Sequence, residues 1–216
     1  MSVFVLNKHA SVANHFLAEL RSKDIQRDRW RFRRNLERLG EVLAYELSKA
    51  LPYDERKVTT PLGESEVQLM NTPPVLIPVL RAALPFYQGL LNFFDQADSG
   101  FIAAYRGVPH SDASFDIHMD YVAAPQIEDR VTLLIDPMLA TGRSLVRAWE
   151  TIHTYGQPKQ LHVVAAIATQ TGIDWVRQYL PEATIWTGAV DPTLNAKSYI
   201  VPGLGDAGDL AFGEKN

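Results

Sequence analysis

The chain has 216 residues, 46% of them hydrophobic and 21% charged, with a net charge of −4; that suffices for one well-buried domain and argues against a general nucleic-acid binder. It contains no cysteine, which excludes a disulfide framework and thiolate chemistry and suits a reducing, cytoplasmic setting. No apolar run approaches the ~20 residues of a membrane span, and the opening MSVFVLNKHASVANHF lacks the basic-then-apolar pattern of a signal peptide.

No internal repeat, low-complexity tract or linker interrupts the sequence, so residues 1–216 read as a single domain. Residues 10–51 read as helical, with Phe32, Leu36, Leu39, Leu43, Leu47 and Leu51 recurring every three or four positions as one apolar stripe. The flank RSKDIQRDRWRFRRN is strongly basic. It reads as a solvated helix face with some dimer contacts, or else as an RNA-binding surface.

From residue 75 the pattern changes. VLIPVL (75–80), FIAAY (101–105), VTLLI (131–135), HVVAAIA (162–168) and TIWTGAV (184–190) are apolar at nearly every position. Strands of that kind are covered on both faces, as in a parallel sheet. Helical segments at 85–94, 144–155 and 172–180 alternate with them. The second carries Leu145, Ala148, Trp149 and Ile152 on one face and Gly156 at its stop. Strands alternating with helices predict an α/β fold built on a parallel sheet. SFDIHMDY differs, because its apolar residues fall at every second position. It reads as a half-exposed strand in a hairpin arm off the main sheet. Its polar face, Asp116, His118 and Asp120, is either simply wet or the start of a metal site.

The most informative stretch is VTLLIDPMLATGRSLVRAWE. A buried strand ends at Ile135, an acidic residue follows, and a short loop leads to a helix opening near Ser144. In an open parallel sheet, ligands bind beyond the carboxyl ends of the strands. A helix start there offers unpaired N–H groups and the positive end of its dipole, a ready phosphate site. Gly142 lets the backbone close on the anion, Thr141 and Ser144 add hydroxyls, and Asp136 can accept hydrogen bonds from vicinal sugar hydroxyls. A plain strand–turn–helix is the alternative. The run is neither a Walker loop nor a dinucleotide fingerprint.

YIVPGLGDAGDLAFG (199–213) is so rich in glycine, with proline and aspartates, that helix and strand are excluded in favour of a loop that brings backbone groups close to a ligand. Its apolar members, Ile200, Val201, Leu204 and Phe212, argue against a loose tail. Arg81 and Arg106 each follow a predicted strand, where a guanidinium makes a good phosphate fork. A lone arginine at such a place is usually a surface residue; two at equivalent strand ends point to function.

IDPMLATGRS resembles the binding signature for phosphoribosyl pyrophosphate (PRPP) of the type I phosphoribosyltransferases, in the wording of the uracil phosphoribosyltransferases. PGLGDAGD is similar to that family's uracil-binding loop, and PVLRAAL and YR to its PRPP contacts. The resemblance implies a type I phosphoribosyltransferase-like parallel sheet flanked by helices, with a helical N-terminal segment (10–51), a β-arm (107–125) and a base-binding loop (191–213). It implies PRPP binding by Arg81, Arg106, Asp136, Pro137, Met138, Leu139, Ala140, Thr141, Gly142, Arg143, Ser144 and Asp206. It implies uracil binding by Ile200, Gly205, Asp206 and Ala207, with Asp136, Arg106 and Asp206 as the catalytic set. The expected reaction transfers the phosphoribosyl group of PRPP to uracil, giving UMP and pyrophosphate. Mg²⁺ is expected to arrive on PRPP rather than in a protein cage. A homodimer or higher homo-oligomer and a GTP effector are further implications, with no membrane or nucleic acid. The chain departs from the family at Ala83 and Arg143 (glycines there), Ala123 (a lysine) and Leu210 (an arginine). Arg143, Ala123, Leu210 and the basic helix at 21–38 motivate an alternative on the same fold, a non-catalytic PRPP- or UMP-sensing, RNA-binding pyrimidine regulator.

Overall fold

The computed structural model describes residues 2–106 and 117–214, with side chains for all of these except 104–106 and 117–120. In chain order the elements are β1 (Val3–Val5), α1 (Ala13–Arg21), α2 (Arg29–Ser48), β2 (Tyr53–Thr60), β3 (Gly63–Met70), β4 (Val75–Leu80), α3 (Leu84–Phe93), β5 (Asp98–Ser99), β6 (Phe101–Arg106), β7 (Ile117–Ala123), β8 (Val131–Ile135), β9 (Met138–Leu139), α4 (Arg143–Ile152), β10 (Gln160–Thr169), α5 (Gln170–Tyr179), β11 (Thr184–Asp191), β12 (Thr193–Leu194), β13 (Ile200–Val201) and α6 (Ala207–Phe212).

The main sheet runs β1-β11-β10-β8-β4-β6-β7, with β5 beside β4 and β9 beside β10. Every pairing in it is parallel except β6 with β7. The continuous apolar runs are explained by cover on both sides. Leu133, Ile135, Val164 and Ala166 face one layer of helices, α1, α2, α3 and α6; their chain neighbours Leu134, Val163 and Ala165 face α4 and α5. Side chains of successive strand residues point to opposite faces, so a strand buried on both shows no alternation.

The apolar stripe of residues 32–51 is buried along its whole length. All of it but Leu51, which lies past the helix end at Ser48, belongs to α2, whose first turn is capped by the Asp28 carboxylate accepting from Arg31 N–H at 3.1 Å. The expected helical segment is thus two helices, broken at residues 22–28, where Ser22 and Asp28 take extended backbone. α2 meets α3 backbone to backbone: a Cβ on Gly89 would stand 2.8 Å from Glu41 N, and one on Gly40 3.2 Å from Gly89 Cα. The α1–α2 contact adds an ion pair to its buried apolar side chains. Glu19 accepts from both Arg31 Nε and Nη2 and from Asn35, and the Arg31 fork beside it holds its carboxyl down at about 2. The basic flank is therefore only partly a solvated face. Arg21 pairs with Asp191, Arg33 donates to Ala211 O at 2.7 Å, and Arg34 pairs with Glu37.

Two further expectations are corrected. β7 is not in an arm off the main sheet: it pairs along its length with β6 and forms the sheet's antiparallel edge. Residues 107–116 of the expected arm, and the side chains of Asp116, His118 and Asp120, lie outside the described residues. A separate hairpin does stand off the sheet, formed by β2 and β3 in register from Tyr53↔Met70 to Thr60↔Gly63. Its residues are almost all exposed, so no apolar alternation announces it. The glycine-rich C-terminal stretch contains a short strand, β13 paired with β12, and a helical turn, α6, rather than loop throughout. No helix among the described residues is long and apolar enough to cross a membrane.

A cavity of about 640 Å³ opens at the amino-terminal edge of the sheet, beside His162 and Trp186. Trp186 Nε1 donates to His162 Nδ1 at 3.1 Å, so the ring's own hydrogen sits on Nε2, facing Gln160 Oε1 at 3.3 Å. Burial pushes this imidazole from 6.5 down to about 4. The unfolded chain then takes up a proton below 6.5 that the folded chain refuses until about 4. Stability should fall as pH drops through that window, by up to about 3 kcal/mol at its lower end. Urea unfolding at pH 7 and pH 4.5 checks this: His162→Gln, which can still accept from Trp186, should lose part of the difference, and an equal drop in both proteins would refute the assignment.

Candidate active site

The parallel strands deliver their carboxyl ends to one edge. Arg81 follows β4, Arg106 closes β6, Asp136 follows β8, Thr169 closes β10 and Asp191 closes β11. From β4 the chain leaves for α3 on one face; from β8 and β9 it leaves for α4 on the other. The connections part between β4 and β8, which makes the crevice where open α/β sheets bind ligands. The sequence-predicted residues gather there from distant parts of the chain. The side chain of Arg106 lies outside the described residues.

The 136–144 loop is built rigidly. Asp136 N–H donates to Val164 O, and Pro137 O accepts from Ala166 and Ile167 N–H, each at 3.0–3.1 Å. The Asp136 carboxylate accepts from Met138 N–H at 3.0 Å. Met138 and Leu139 pair as β9 with Ile167 and Ala168. Thr169, fully buried, donates from Oγ1 to Ala140 O at 2.6 Å and accepts from Gly172 N–H at 3.0 Å, so one hydroxyl caps α5 and ties down the loop. Gly142 has φ +76° and is the residue before α4; a Cβ there would stand 2.8 Å from Gly172 O. Glycine is demanded at 142 by both conformation and contact. The Arg143 guanidinium lies 5.4 Å over the Trp175 ring, stacked on α5. Arg143 N–H donates to Thr141 Oγ1 at 3.4 Å, and the next amides of α4's first turn have no intrahelical partner, so this start presents donors to an anion.

The C-terminal segment closes the site from the other side. Asp206 precedes α6, accepts from Asp209 N–H at 3.0 Å on Oδ1, and receives the Tyr199 hydroxyl at 3.5 Å on Oδ2. That cap explains a helical turn in a glycine-rich stretch. Ile200 and Ala207 are buried, and Gly205 has φ +100°. Arg81 reaches this segment: Nη2 donates to Asp209 Oδ1 at 2.8 Å and to Gly213 O at 2.7 Å, and its Nε is buried without a hydrogen-bond partner among the described residues. A Cβ on Gly208 would lie 3.2 Å from Asp206 Oδ1 and 3.6 Å from Arg81 Nε, so the arginine and the two carboxylates form one cluster. A cavity of about 370 Å³ lies alongside, lined by Arg27, Arg29, Gly205, Asp206 and Leu210 among others. The larger cavity near His162 lies at the opposite edge of the sheet, away from these groups.

Sequence reasoning missed Thr169, Gly172, Arg21 and Asp191. A threonine directly before a helix is a readable cap, so Thr169 had a local signal. Gly172 had none, because its task is to let the 139–142 backbone approach α5. Among the described residues no three His, Cys, Asp or Glu side chains gather as a metal cage.

The family described as uracil phosphoribosyltransferase matches residues 6–214. A protein of that name from Porphyromonas gingivalis is 50% identical over 216 residues, 100% of both chains. One from Pyrococcus furiosus is 43% identical over 201 residues, 92% of this chain and 84% of the other. The solved structure of the AQ2163 protein from Aquifex aeolicus superposes with a TM-score of 0.87 at 31% identity, over 98% of each chain. The hypoxanthine-guanine phosphoribosyl transferase of L. donovani superposes with a TM-score of 0.50 at 14% identity, over 76% of this chain and 84% of the other, a likeness of fold alone.

Proposed function

Because the chain belongs to the uracil phosphoribosyltransferase family, we propose that it transfers the phosphoribosyl group of PRPP to uracil, giving UMP and pyrophosphate, with residues 1–216 acting as one catalytic unit. The observation that carries the residue-level reading is the convergence of Arg81, the 136–144 loop and the Asp206 segment on one edge of the sheet.

In this reading a uracil nitrogen attacks the anomeric carbon of PRPP, pyrophosphate leaves, and the proton on that nitrogen passes to solvent. No covalent enzyme intermediate is needed, so the protein positions the reactants and stabilises charge. The 5′-phosphate takes the loop from Pro137 to Ser144 and the first-turn amides of α4. Asp136 accepts from the ribose hydroxyls. Arg81 exchanges Asp209 and Gly213 O for pyrophosphate oxygens, and Arg106 adds a second guanidinium. Ile200, Gly205 and Ala207 read uracil largely through backbone groups, with Asp206 turned toward the ribose. The donor set fits Mg²⁺ carried in on the substrate, since that ion keeps waters and binds chiefly through phosphates with one or two carboxylates; Asp206 is the carboxylate that would meet it. Bound there, Mg²⁺ would offset the negative charge that grows on the leaving pyrophosphate.

The missing cysteines and the phosphorylated substrates support a cytoplasmic enzyme. A homodimer is supported by the β2–β3 hairpin: isolated two-stranded hairpins are marginal in water, and this one exposes Tyr53, Val58, Leu62 and Leu69. Sedimentation at the two-subunit mass checks it. A GTP effect rests on the resemblance alone and is read by adding GTP to the assay below.

The test mixes the protein with labelled uracil, PRPP and Mg²⁺ and looks for labelled UMP. Product that requires all three is the expected result. Binding of PRPP without product would favour the non-catalytic regulator instead.

A further inference from the structure

Arg21 is the last residue of α1 and Asp191 the last of β11. Their side chains make a two-pronged pair, Nη1 to Oδ2 and Nη2 to Oδ1, both at 2.7 Å. Asp191 is 5% exposed, so its charge depends on these partners. The pair does not end on itself. Arg21 Nη1 also donates to Gly203 O at 3.0 Å, and Gly203 N–H donates to Asp191 Oδ2 at 2.8 Å. Both backbone groups of Gly203 are thereby held by one ion pair, at a residue whose φ is +55°. Gly203 stands two residues before Gly205 and three before Asp206.

We propose that Arg21 and Asp191 are positioning residues for base recognition, a clamp on Gly203 that sets where Gly205, Asp206 and Ala207 meet the base. The inference rests on the reading of that segment as the uracil site. The argument is geometric. A segment with positive φ at Gly203, Gly205 and Gly213 has little conformational preference of its own, so external bonds must fix it. Its far end has two, from Arg33 to Ala211 O and from Arg81 to Gly213 O. Its near end has the Arg21–Asp191 pair. The phosphate loop takes none of these bonds; it is fixed by β10 and by Thr169.

The test is the split between the two substrates. Arg21→Lys keeps the positive charge but loses the planar fork that reaches Asp191 and Gly203 O together. Steady-state UMP synthesis should show KM for uracil raised about tenfold or more, with KM for PRPP raised by a clearly smaller factor, through Asp206 alone, and the melting temperature close to that of wild type. Asp191→Asn, which can still accept from Gly203 N–H but carries no charge, is measured alongside and stands in if the lysine variant does not fold. An unchanged KM for uracil, or equal rises in both constants, with wild type active, overturns the clamp and leaves the functional reading standing. A wild type that makes no UMP overturns that reading and the clamp with it.

Discussion

Asp206→Asn is expected to lower UMP turnover by about 100-fold or more while leaving the fold intact. The substitution is nearly isosteric. Oδ1 can still accept from Asp209 N–H, so the cap of α6 survives, and the new amide Nδ2 can donate to the Tyr199 hydroxyl oxygen. What is lost is the negative charge beside Arg81 and Gly208. The transition state places positive charge on the ribose ring, and a fixed carboxylate near it works without reorganisation, where solvent would have to turn. Asp209→Asn is the informative companion, because its carboxylate is already engaged by Arg81. Steady-state turnover and thermal melts of both variants give the answer. Asp206→Asn activity within tenfold of wild type would remove this residue from the catalytic set.

The second large effect belongs to Gly142. Alanine at φ +76° costs about 1–2 kcal/mol in backbone strain alone, and its Cβ would press 2.8 Å from Gly172 O, a backbone atom that cannot swing away. The loop must open or α5 must shift. Either displaces the amides of α4 from the 5′-phosphate by a fraction of an ångström to an ångström, a misplacement that commonly costs about 100-fold in rate. The expected outcome for Gly142→Ala is a fall of that order in kcat/KM for PRPP, with KM for uracil little changed. Gly205→Ala is the counterpart: it also has positive φ, its nearest neighbour would be Leu210 Cδ1 at 3.5 Å, and its effect should fall on KM for uracil rather than on PRPP. If Gly142→Ala binds PRPP as wild type does, the loop is not the phosphate cradle.

The parts of the fold that could be read in advance are those where burial alone dictates residue type. VTLLI and HVVAAIA admit one interpretation because both faces are covered, and the leucine stripe of α2 fixes its inward face. The β2–β3 hairpin was illegible for the opposite reason: nothing in YDERKVTT or GESEVQLM is buried, so no pattern forms. β1 is too short, at three residues, to show a period. The C-terminal turn α6 is made by a cap, Asp206 on Asp209, that overrides the glycines around it. The site follows the same division. The 136–144 loop and the GLGDAGD segment, the proposed phosphate and base sites, are each contiguous in sequence and so offer a local pattern to read. Arg21, Asp191 and Gly203 are brought together across 170 and 182 positions, and no local spacing announces such a meeting.

Ser2 and Gly213, near the two limits of the described residues, sit at opposite edges of the sheet. Ser2 lies beside Thr184 at the amino edge, whereas Gly213 is gripped by Arg81 at the carboxyl edge. A purification tag, a fluorescent fusion or a surface tether joined at the front would therefore hang clear of the crevice. The same cargo at the back would tug on Arg81, the arginine proposed to hold pyrophosphate, so the choice of tagged end should decide how much activity an immobilised sample retains.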